Sequence, residues 1–567
     1  MKLSKNAEDV ARKRYFMEGE DWEACCRRVA GVVSQYESSP LEWAEKYGEI
    51  MFNGDFIPGG RVLRNAGRPR GSLFNCYLLP ISDSIEAIGD YMKEALILWS
   101  EGGGVGTNFS SLRPKGTAIR GKGGRSSGLV SFMRAADGLA STIESGGQRR
   151  AAAIAIVDVH HPEVLDFIDA KLVHGILSHF NISVSVSEDF LEAVEEDREW
   201  TFTFEGMEYG KTDARKIWKR IVDNMVKSAE PGLINWNKLR KNNSYSFSPI
   251  LGTNPCGEVC LGAWEACNLG SLTLPHFLSG TQTNWKKLAE AIELAVRFLD
   301  NIIDMNRYSL IKIEQNEKAS RRVGLGTMGL ADYLFGKRVR YGSPKATSEI
   351  ERLYKFIRDK AYETSIKLAE ERGTFPKYEK THYSKATFIR KLPATLRLDI
   401  KERGIRNCTL LSQAPTGTIS LIPEVVSGIE PLYSKAYKTN DRAGIRYYIH
   451  PLYKKTLESG VSHEWFVDSS EVTPVEHFEV QVACQKYTDS SVSKTINMPK
   501  GTTSKQLSKL LLEYIWDLKG VTVYVDGCRG EQPLVTLSEK EALKHLSDAT
   551  ADQAEEAVQC AKGTCDL

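Results

Sequence analysis

Five consecutive residues, Asn254-Pro255-Cys256-Gly257-Glu258, constrain this chain more than any other stretch. Pro255 lacks a backbone N–H and has a fixed φ, and Gly257 tolerates conformations other residues avoid. The segment therefore reads as a loop tip, not as the interior of a helix or strand. In an extended stretch alternate side chains point the same way, so Asn254, Cys256 and Glu258 are expected to face one cavity, a thiol between an amide and a carboxylate. A lone cysteine is ordinarily a small buried apolar residue. Here Cys267 follows in Ala266-Cys267-Asn268-Leu269-Gly270-Ser271, and Cys76 stands upstream in Ser72-Leu73-Phe74-Asn75-Cys76. Three thiols in polar company point to thiol chemistry.

A second signal is glycine interleaved with arginine between residues 101 and 153. Gly102-Gly103-Gly104, Gly106, Gly116, Gly121, Gly123, Gly124, Gly128 and Gly146-Gly147 alternate with Arg113, Lys115, Arg120, Lys122, Arg125, Arg149 and Arg150. Exposed backbone N–H groups and guanidinium forks suit a phosphorylated ligand. One such cluster is an ordinary solvated loop, but three within fifty residues favour a nucleotide site. There is no P-loop pattern and no proper Rossmann fingerprint, which sets those two classes aside. Pro415-Thr416-Gly417-Thr418-Ile419-Ser420 is a further anion-binding candidate, with hydroxyls and a glycine suited to a helix N-terminus.

Strand-like and helix-like stretches alternate along the chain, which argues for an α/β class around a sheet or barrel. Residues 1–55 read as a cap of short amphipathic helices, with Trp22, Val29, Val33, Tyr36, Leu41 and Trp43 inward. Phe56-Ile57-Pro58-Gly59-Gly60-Arg61 then breaks regularity. A helix follows from Ile85 to Trp99, with Asp83 or Ser84 as its N-cap. Longer helices are expected at 285–306, 347–372 and 504–519, and strands at 154–159 and 521–525.

Bulk properties exclude several classes. A formal net charge of +2 gives no electrostatic case for nucleic acid, and neither a secretory leader nor a run of membrane-spanning length is present. Eleven cysteines, an odd number scattered without a leader, suggest reduced thiols in the cytoplasm over a disulfide scaffold. Two of them, Cys560 and Cys565, lie in a polar terminal stretch and read as a mobile dithiol.

These motifs resemble the catalytic subunit of ribonucleotide reductase: Asn-Pro-Cys-Gly-Glu at 254–258, Cys-Asn-Leu-Gly-Ser at 267–271 and Pro-Thr-Gly-Thr at 415–418. Two longer arrays agree, Arg322-Val323-Gly324-Leu325-Gly326-Thr327-Met328-Gly329-Leu330-Ala331-Asp332 and Asp489-Ser490-Ser491-Val492-Ser493-Lys494-Thr495-Ile496-Asn497. The resemblance implies a ten-stranded α/β barrel over 56–535 whose central finger loop carries Cys256. It would follow a helical cap at 1–55 too short for an ATP-cone, include an effector region at 81–153, and lead into a redox tail at 536–567.

The resemblance also implies roles. Cys256 would be the thiyl radical that takes the ribose 3′-hydrogen, Glu258 the general base on the 3′-hydroxyl, and Asn254 a hydrogen-bonding partner of the sugar. Cys76 and Cys267 would supply two electrons and become a disulfide, reduced by Cys560 and Cys565, which a thioredoxin-like protein would reduce in turn. Asn75 and Pro415, Thr416, Gly417, Thr418, Ile419 and Ser420 would bind substrate. Asp83, Ser84, Arg113 and Arg120 would bind a deoxynucleoside triphosphate or ATP effector. Ser145, Gly146, Gly147, Gln148, Arg149 and Arg150 would pass the effector's identity to the substrate site, and two chains would form a homodimer.

The barrel's last strand reads Val523-Tyr524-Val525-Asp526-Gly527-Cys528-Arg529-Gly530-Glu531-Gln532-Pro533-Leu534. It has one tyrosine where enzymes with a separate metal-radical subunit have two adjacent, and its ending resembles the adenosylcobalamin-dependent class. The expected activity is thus adenosylcobalamin-dependent reduction of ribonucleotides, as diphosphates, to 2′-deoxyribonucleotides for DNA synthesis. Two alternatives stay open: a large subunit needing a metal-radical partner, and a non-catalytic nucleotide- or zinc-binding protein in which Cys256 pairs with Cys260 and Cys560 with Cys565.

Overall fold

The computed structural model describes residues 1–546 except 120, 122, 146–148, 174, 442–443, 462 and 529–533. Three helices open the chain: α1 (Lys5–Arg14), α2 (Trp22–Val33) and α3 (Pro40–Phe52). Ser4 and Asp21 cap the first two through side-chain oxygens, and Pro40 starts the third, where its missing N–H costs nothing. Trp22, Val29 and Val33 are buried as expected. Tyr36 and Leu41 are not, at 54% and 85% exposed. The reason is a 3-10 turn at Ser34–Tyr36, which breaks the helical phase between α2 and α3.

Phe56–Arg61 is more regular than its glycines suggest. It forms strand β1 (Phe56–Pro58) and the start of helix α4 (Gly60–Asn65). Strands β2 (Cys76–Leu78) and β3 (Gly104–Asn108) flank helix α5 (Ile85–Ser100), whose N-cap is Ser84. Helix α6 (Leu129–Ala140) leads to β4 (Ala152–Asp158), β5 (Phe180–Val186) and β6 (Gly232–Asn235). Two short strands, β7 (Gly252–Thr253) and β8 (Cys260–Leu261), make a hairpin, and β9 (Glu265–Thr273) follows, buried along its whole length. Then come α7 (Trp285–Met305), α8 (Ile311–Ser320), β10 (Val323–Met328), α9 (Leu330–Gly336) and α10 (Pro344–Arg372). Towards the end lie β11 (Thr495–Met498), α11 (Ser504–Tyr514) and β12 (Gly520–Val525). The helix expected to reach 519 ends at Tyr514 and tightens into a 3-10 turn.

The main sheet has ten strands in the order β1-β9-β2-β3-β4-β5-β6-β12-β11, with β10 paired to β9 off that path. From β2 to β6 neighbours run parallel. So do β9 with β10 and β11 with β12. The β2–β6 group meets the other two parallel pairs antiparallel, at β9/β2 and at β6/β12. Isolated bridges Leu325–Leu411 and Gln413–Val492 carry the pairing onward from β10 towards β11. Nearly continuous burial along these strands fits a parallel sheet covered by helices. Among the described residues no helix is long and apolar enough to cross a membrane.

Candidate active site

The β7/β8 hairpin carries Asn254 to Val259 at its tip. The tip is a tight turn: the Gly257 N–H donates to Asn254 O at 3.0 Å, with Gly257 at φ 79°. This corrects the extended-segment expectation. Asn254 and Glu258 are buried at the base of the turn, whereas Cys256 is exposed at its apex, so the three side chains do not simply share one face. What Asn254 and Glu258 share is Cys76. Asn254 Nδ2 donates to Cys76 Sγ at 3.1 Å, and the thiol lies 3.8 Å from Glu258 Oε1. Asn254 Oδ1 accepts from Val259 N at 3.0 Å, which fixes the amide's orientation.

The hairpin is held from both sides. On one, β3 passes so close that a Cβ on Gly106 would lie 1.8 Å from Thr253 O, and one on Gly104 3.1 Å from Pro255 Cγ. Asn181 of β5 donates to Pro255 O at 3.1 Å. On the other, Glu258 O accepts from Ser491 N and Ser412 Oγ, both at 2.9 Å, and Cys260 N donates to Ser490 Oγ at 3.0 Å. Glycines 102 and 103 also serve packing, since a Cβ on them would meet Arg61 Nη2 at 1.9 Å and Tyr77 Cε2 at 2.6 Å. The first glycine cluster is therefore not a phosphate cradle. It lets the hairpin, Arg61 and Tyr77 approach the sheet.

Cys76 and Cys267 face each other across β2 and β9. Burial pushes both thiols well above the ordinary cysteine range, and for Cys76 the neighbouring Glu258 adds to the shift. Cys267 donates to Asn268 O at 3.1 Å, and Gly324 leaves room for its sulfur, since a Cβ there would lie 3.0 Å away. Behind β9, Arg322 is fully buried. It donates to Glu265 Oε2 and Tyr245 OH at 2.6 Å each and to Thr409 Oγ1 at 3.0 Å. Glu317 accepts from Ala266 N at 2.7 Å, and burial raises its carboxyl to about 8. The sequence contains Arg322 in a long motif but carries no sign of this role, because its partners are 57 and 77 residues away.

The 415–420 segment is a loop leading into one 3-10 turn, Ile419–Leu421, so the expected helix N-terminus is absent. Thr416 has φ 56° and its hydroxyl oxygen accepts from Gly428 N at 2.7 Å. Thr418 Oγ1 accepts from Tyr15 OH at 2.6 Å. Ser420 spends its proton on Gly417 O at 3.2 Å. Two hydroxyls, Thr416 and Thr418, thus keep a proton to donate. Asn75 Oδ1 is buried without a hydrogen-bond partner, a short reach from Gly59.

At the other expected site, Arg113 binds Asp83 three ways: Nε to Oδ2 at 2.6 Å, backbone N to Oδ1 at 3.2 Å and Nη2 to the carbonyl at 3.4 Å. Ser84 Oγ caps α5 through Ala87 N at 3.1 Å. Ser145 pairs with Arg149, and Glu144 with Arg150, in a short antiparallel ladder. Arg120, Gly146, Gly147 and Gln148 lie outside the described residues, as do Cys560 and Cys565. Of the remaining cysteines Cys260, Cys408 and Cys484 are buried and Cys528 is half-buried. Burial raises the Tyr433 phenol to about 12 and the neighbouring Tyr524 adds to the shift, so a second tyrosine does approach the last strand, from a distant segment. Among the described residues no cluster of three or more His, Cys, Asp or Glu is arranged to hold a metal ion.

Two family profiles cover nearly the whole chain. "Ribonucleotide reductase, all-alpha domain" matches residues 1–71, and "Ribonucleotide reductase, barrel domain" matches residues 74–525. The chain is 34% identical over 590 residues to the "Vitamin B12-dependent ribonucleoside-diphosphate reductase" of Mycobacterium tuberculosis (strain CDC 1551 / Oshkosh), covering 96% of this chain and 82% of the relative. It is 33% identical over 615 residues to the protein of the same name from Thermoplasma acidophilum, with 100% and 77% covered. The "Ribonucleoside-diphosphate reductase large chain" of Schizosaccharomyces pombe is 28% identical over 474 residues, covering 76% of this chain and 58% of that one.

Proposed function

Because the chain belongs to the ribonucleotide reductase family, with sequence matching both its all-alpha and its barrel domain, we propose that it is an adenosylcobalamin-dependent ribonucleoside-diphosphate reductase. The observation that carries this reading is the placement of Cys256 at the exposed apex of a hairpin whose base residues, Asn254 and Glu258, converge on Cys76 opposite Cys267. The vitamin B12 dependence named for the relatives at 33–34% identity supports the cofactor.

The two isolated bridges support a closed barrel. With β1 as an outer addition and residues 411–413 as a strand position, two groups of five strands enclose the hairpin, which then acts as a central finger. In this reading Cys256, as a thiyl radical, takes the 3′-hydrogen of the ribose. Glu258 accepts the 3′-hydroxyl proton and Asn254 holds the sugar. The C2′–O bond breaks and the oxygen leaves as water. Cys76 and Cys267 together give up two electrons and two protons and join as a disulfide, and Cys256 returns its hydrogen to C3′ and is again a thiyl radical. The site fits a large cofactor in one respect that the structure carries: Cys256 is exposed and a Cβ on Gly257 would meet nothing within 4 Å. Adenosylcobalamin, when bound, supplies the radical equivalent.

Thr416 to Ser420 would hold the substrate phosphates, beside Pro415 and with Asn75 near the sugar. Asp83, Ser84, Arg113 and Arg120 would hold the effector, and the ladder around 146–148 would carry its signal. Cys560 and Cys565 would re-reduce the barrel pair and be reduced by a thioredoxin-like partner. We read the protein as a cytoplasmic homodimer joined through α5 and α6. The test is an assay of the purified chain with adenosylcobalamin, a small dithiol and a ribonucleoside diphosphate. Deoxynucleotide formed with no second protein is the expected result. Activity only after addition of a metal-containing radical subunit overturns the cofactor assignment, and no reduction under either condition overturns the reading.

A further inference from the structure

The loop that would hold the substrate phosphates is braced from outside the sheet by the first helix of the chain. Ser4, the cap of α1, donates to Glu424 Oε1 at 2.6 Å. Val10, midway along α1, packs with Leu421 in a small buried apolar cluster. Tyr15, at the end of α1, donates its hydroxyl proton to Thr418 Oγ1 at 2.6 Å. The braced segment has little regular structure of its own. One 3-10 turn separates Thr416 and Glu424, both non-glycine residues with φ 56°, a backbone region that persists only where surroundings impose it.

The Tyr15 bond also has a chemical direction. A threonine hydroxyl has one proton and can accept as well as donate. With Tyr15 donating to it, the oxygen of Thr418 is occupied as an acceptor and its proton must point elsewhere. Tyr15 is 4% exposed, and its ring lies against Gly60, where a Cβ would come within 3.1 Å of Cε1. The ring has little freedom to leave. The consequence is a threonine proton pre-aimed, so that an anion entering the loop meets a donor already oriented and does not bear the cost of ordering it.

We propose that Tyr15 is a positioning residue for substrate phosphate: it orients the Thr418 hydroxyl as a donor, and α1 thereby makes the all-alpha domain part of the substrate site. The proposal rests on the assignment of residues 415–420 as the phosphate loop. Tyr15→Phe removes the donor and keeps the ring on Gly60. In the full-length chain with adenosylcobalamin and a small dithiol, this variant should bind the nucleoside diphosphate about three- to tenfold more weakly, the range expected for one hydrogen bond. The loss should fall on KM and on equilibrium Kd by calorimetry, with a much smaller effect on kcat. Thr418→Val should weaken binding at least as much, and the double variant no more than Thr418→Val alone, because the two residues act through one hydroxyl.

The outcomes separate. If Thr418→Val weakens binding and Tyr15→Phe does not, the positioning role is overturned while the phosphate loop stands. If neither Thr418→Val nor Gly417→Val weakens binding, the loop assignment itself fails. A Tyr15→Phe variant that melts earlier and loses kcat at unchanged KM has revealed only a structural contact, which also overturns the proposal.

Discussion

Cys76 and Cys267 are directly paired residues of β2 and β9, facing each other across an antiparallel ladder. Residues so paired have Cα atoms about 4.5 or 5.5 Å apart, and a disulfide spans roughly 4.4–6.8 Å, so the bond can form with the strands in place. In a Cys560→Ser/Cys565→Ser variant, which cannot pass the disulfide to the tail, turnover without reductant should therefore consume two alkylatable thiols per active site, mapped by mass spectrometry to Cys76 and Cys267. Cys25, Cys26, Cys408 and Cys484, all buried in the core, should stay alkylatable once the protein is denatured. Loss of any other pair in the first turnover would remove these two from the reaction.

Gly106 of β3 is the tightest contact beneath the reactive hairpin. A methyl group there would sit 1.8 Å from Thr253 O, far inside van der Waals contact. Gly106→Ala should displace β7 and with it the Cys256 turn, lowering turnover at least a hundredfold, since misplacement of about 1 Å costs on that order. Gly31→Ala, inside α2, where a Cβ meets nothing within 4 Å, is the control. Near-normal turnover of Gly106→Ala would show that the hairpin does not depend on its seat.

What the sequence made legible was local chemistry. Pro255 and Gly257 announce a turn, and Ser84 a helix cap, because each acts within a few residues of itself. Gly59 and Gly60 misled for the same reason. Read as breakers, they are small so that Gly59 N–H can reach Leu269 O at 2.7 Å and the Tyr15 ring can lie against Gly60. The facing of Cys76 and Cys267, the donation from Asn181 to Pro255 and the bond from Tyr15 to Thr418 join residues 74 to 403 positions apart. No periodicity or spacing within one segment encodes such contacts. Family resemblance could reach the first of them, because it imports a known topology, but not the other two.

Glu317 gives the protein a pH dependence. Burial raises its carboxyl to about 8, against the opposing influence of Arg322. Its folded-state pKa lies above the unfolded value, so the folded chain keeps a proton that the unfolded chain loses above about pH 4.5. The associated stability is full below that pH and falls by roughly 1.4 kcal/mol per unit until about pH 8. Glu317→Gln keeps the acceptor for Ala266 N and removes the titration. Its melting temperature relative to the parent chain should rise steadily between pH 5 and pH 8. Parallel curves across that range would mean that Glu317 is not protonated in the folded state.

On the proposed effector site, the Asp83–Arg113 pair would set how the effector binds. The guanidinium is committed to Asp83, with both side chains only partly exposed, and it closes the loop that follows β3 onto the start of α5. A nucleoside triphosphate would compete for the guanidinium by charge-assisted hydrogen bonds while Asp83 turned to the sugar hydroxyl. Beside this pair Ile85 is 62% exposed and Met92 and Leu96 are half-buried, an apolar stripe suited to the same helix of a second chain. A two-fold contact there would place the effector at the junction of the two chains. Linkage then requires that effector tighten the dimer by the factor by which dimerisation tightens effector. Arg113→Ala should weaken deoxynucleoside triphosphate binding about 10- to 100-fold, the span of one or two charge-assisted bonds. It should also abolish the effector-induced shift from monomer to dimer in sedimentation velocity at micromolar protein, while substrate reduction without effector continues. A variant that binds effector as the parent does, or a parent chain that switches substrate preference while remaining monomeric, would return Asp83 and Arg113 to an ordinary surface ion pair.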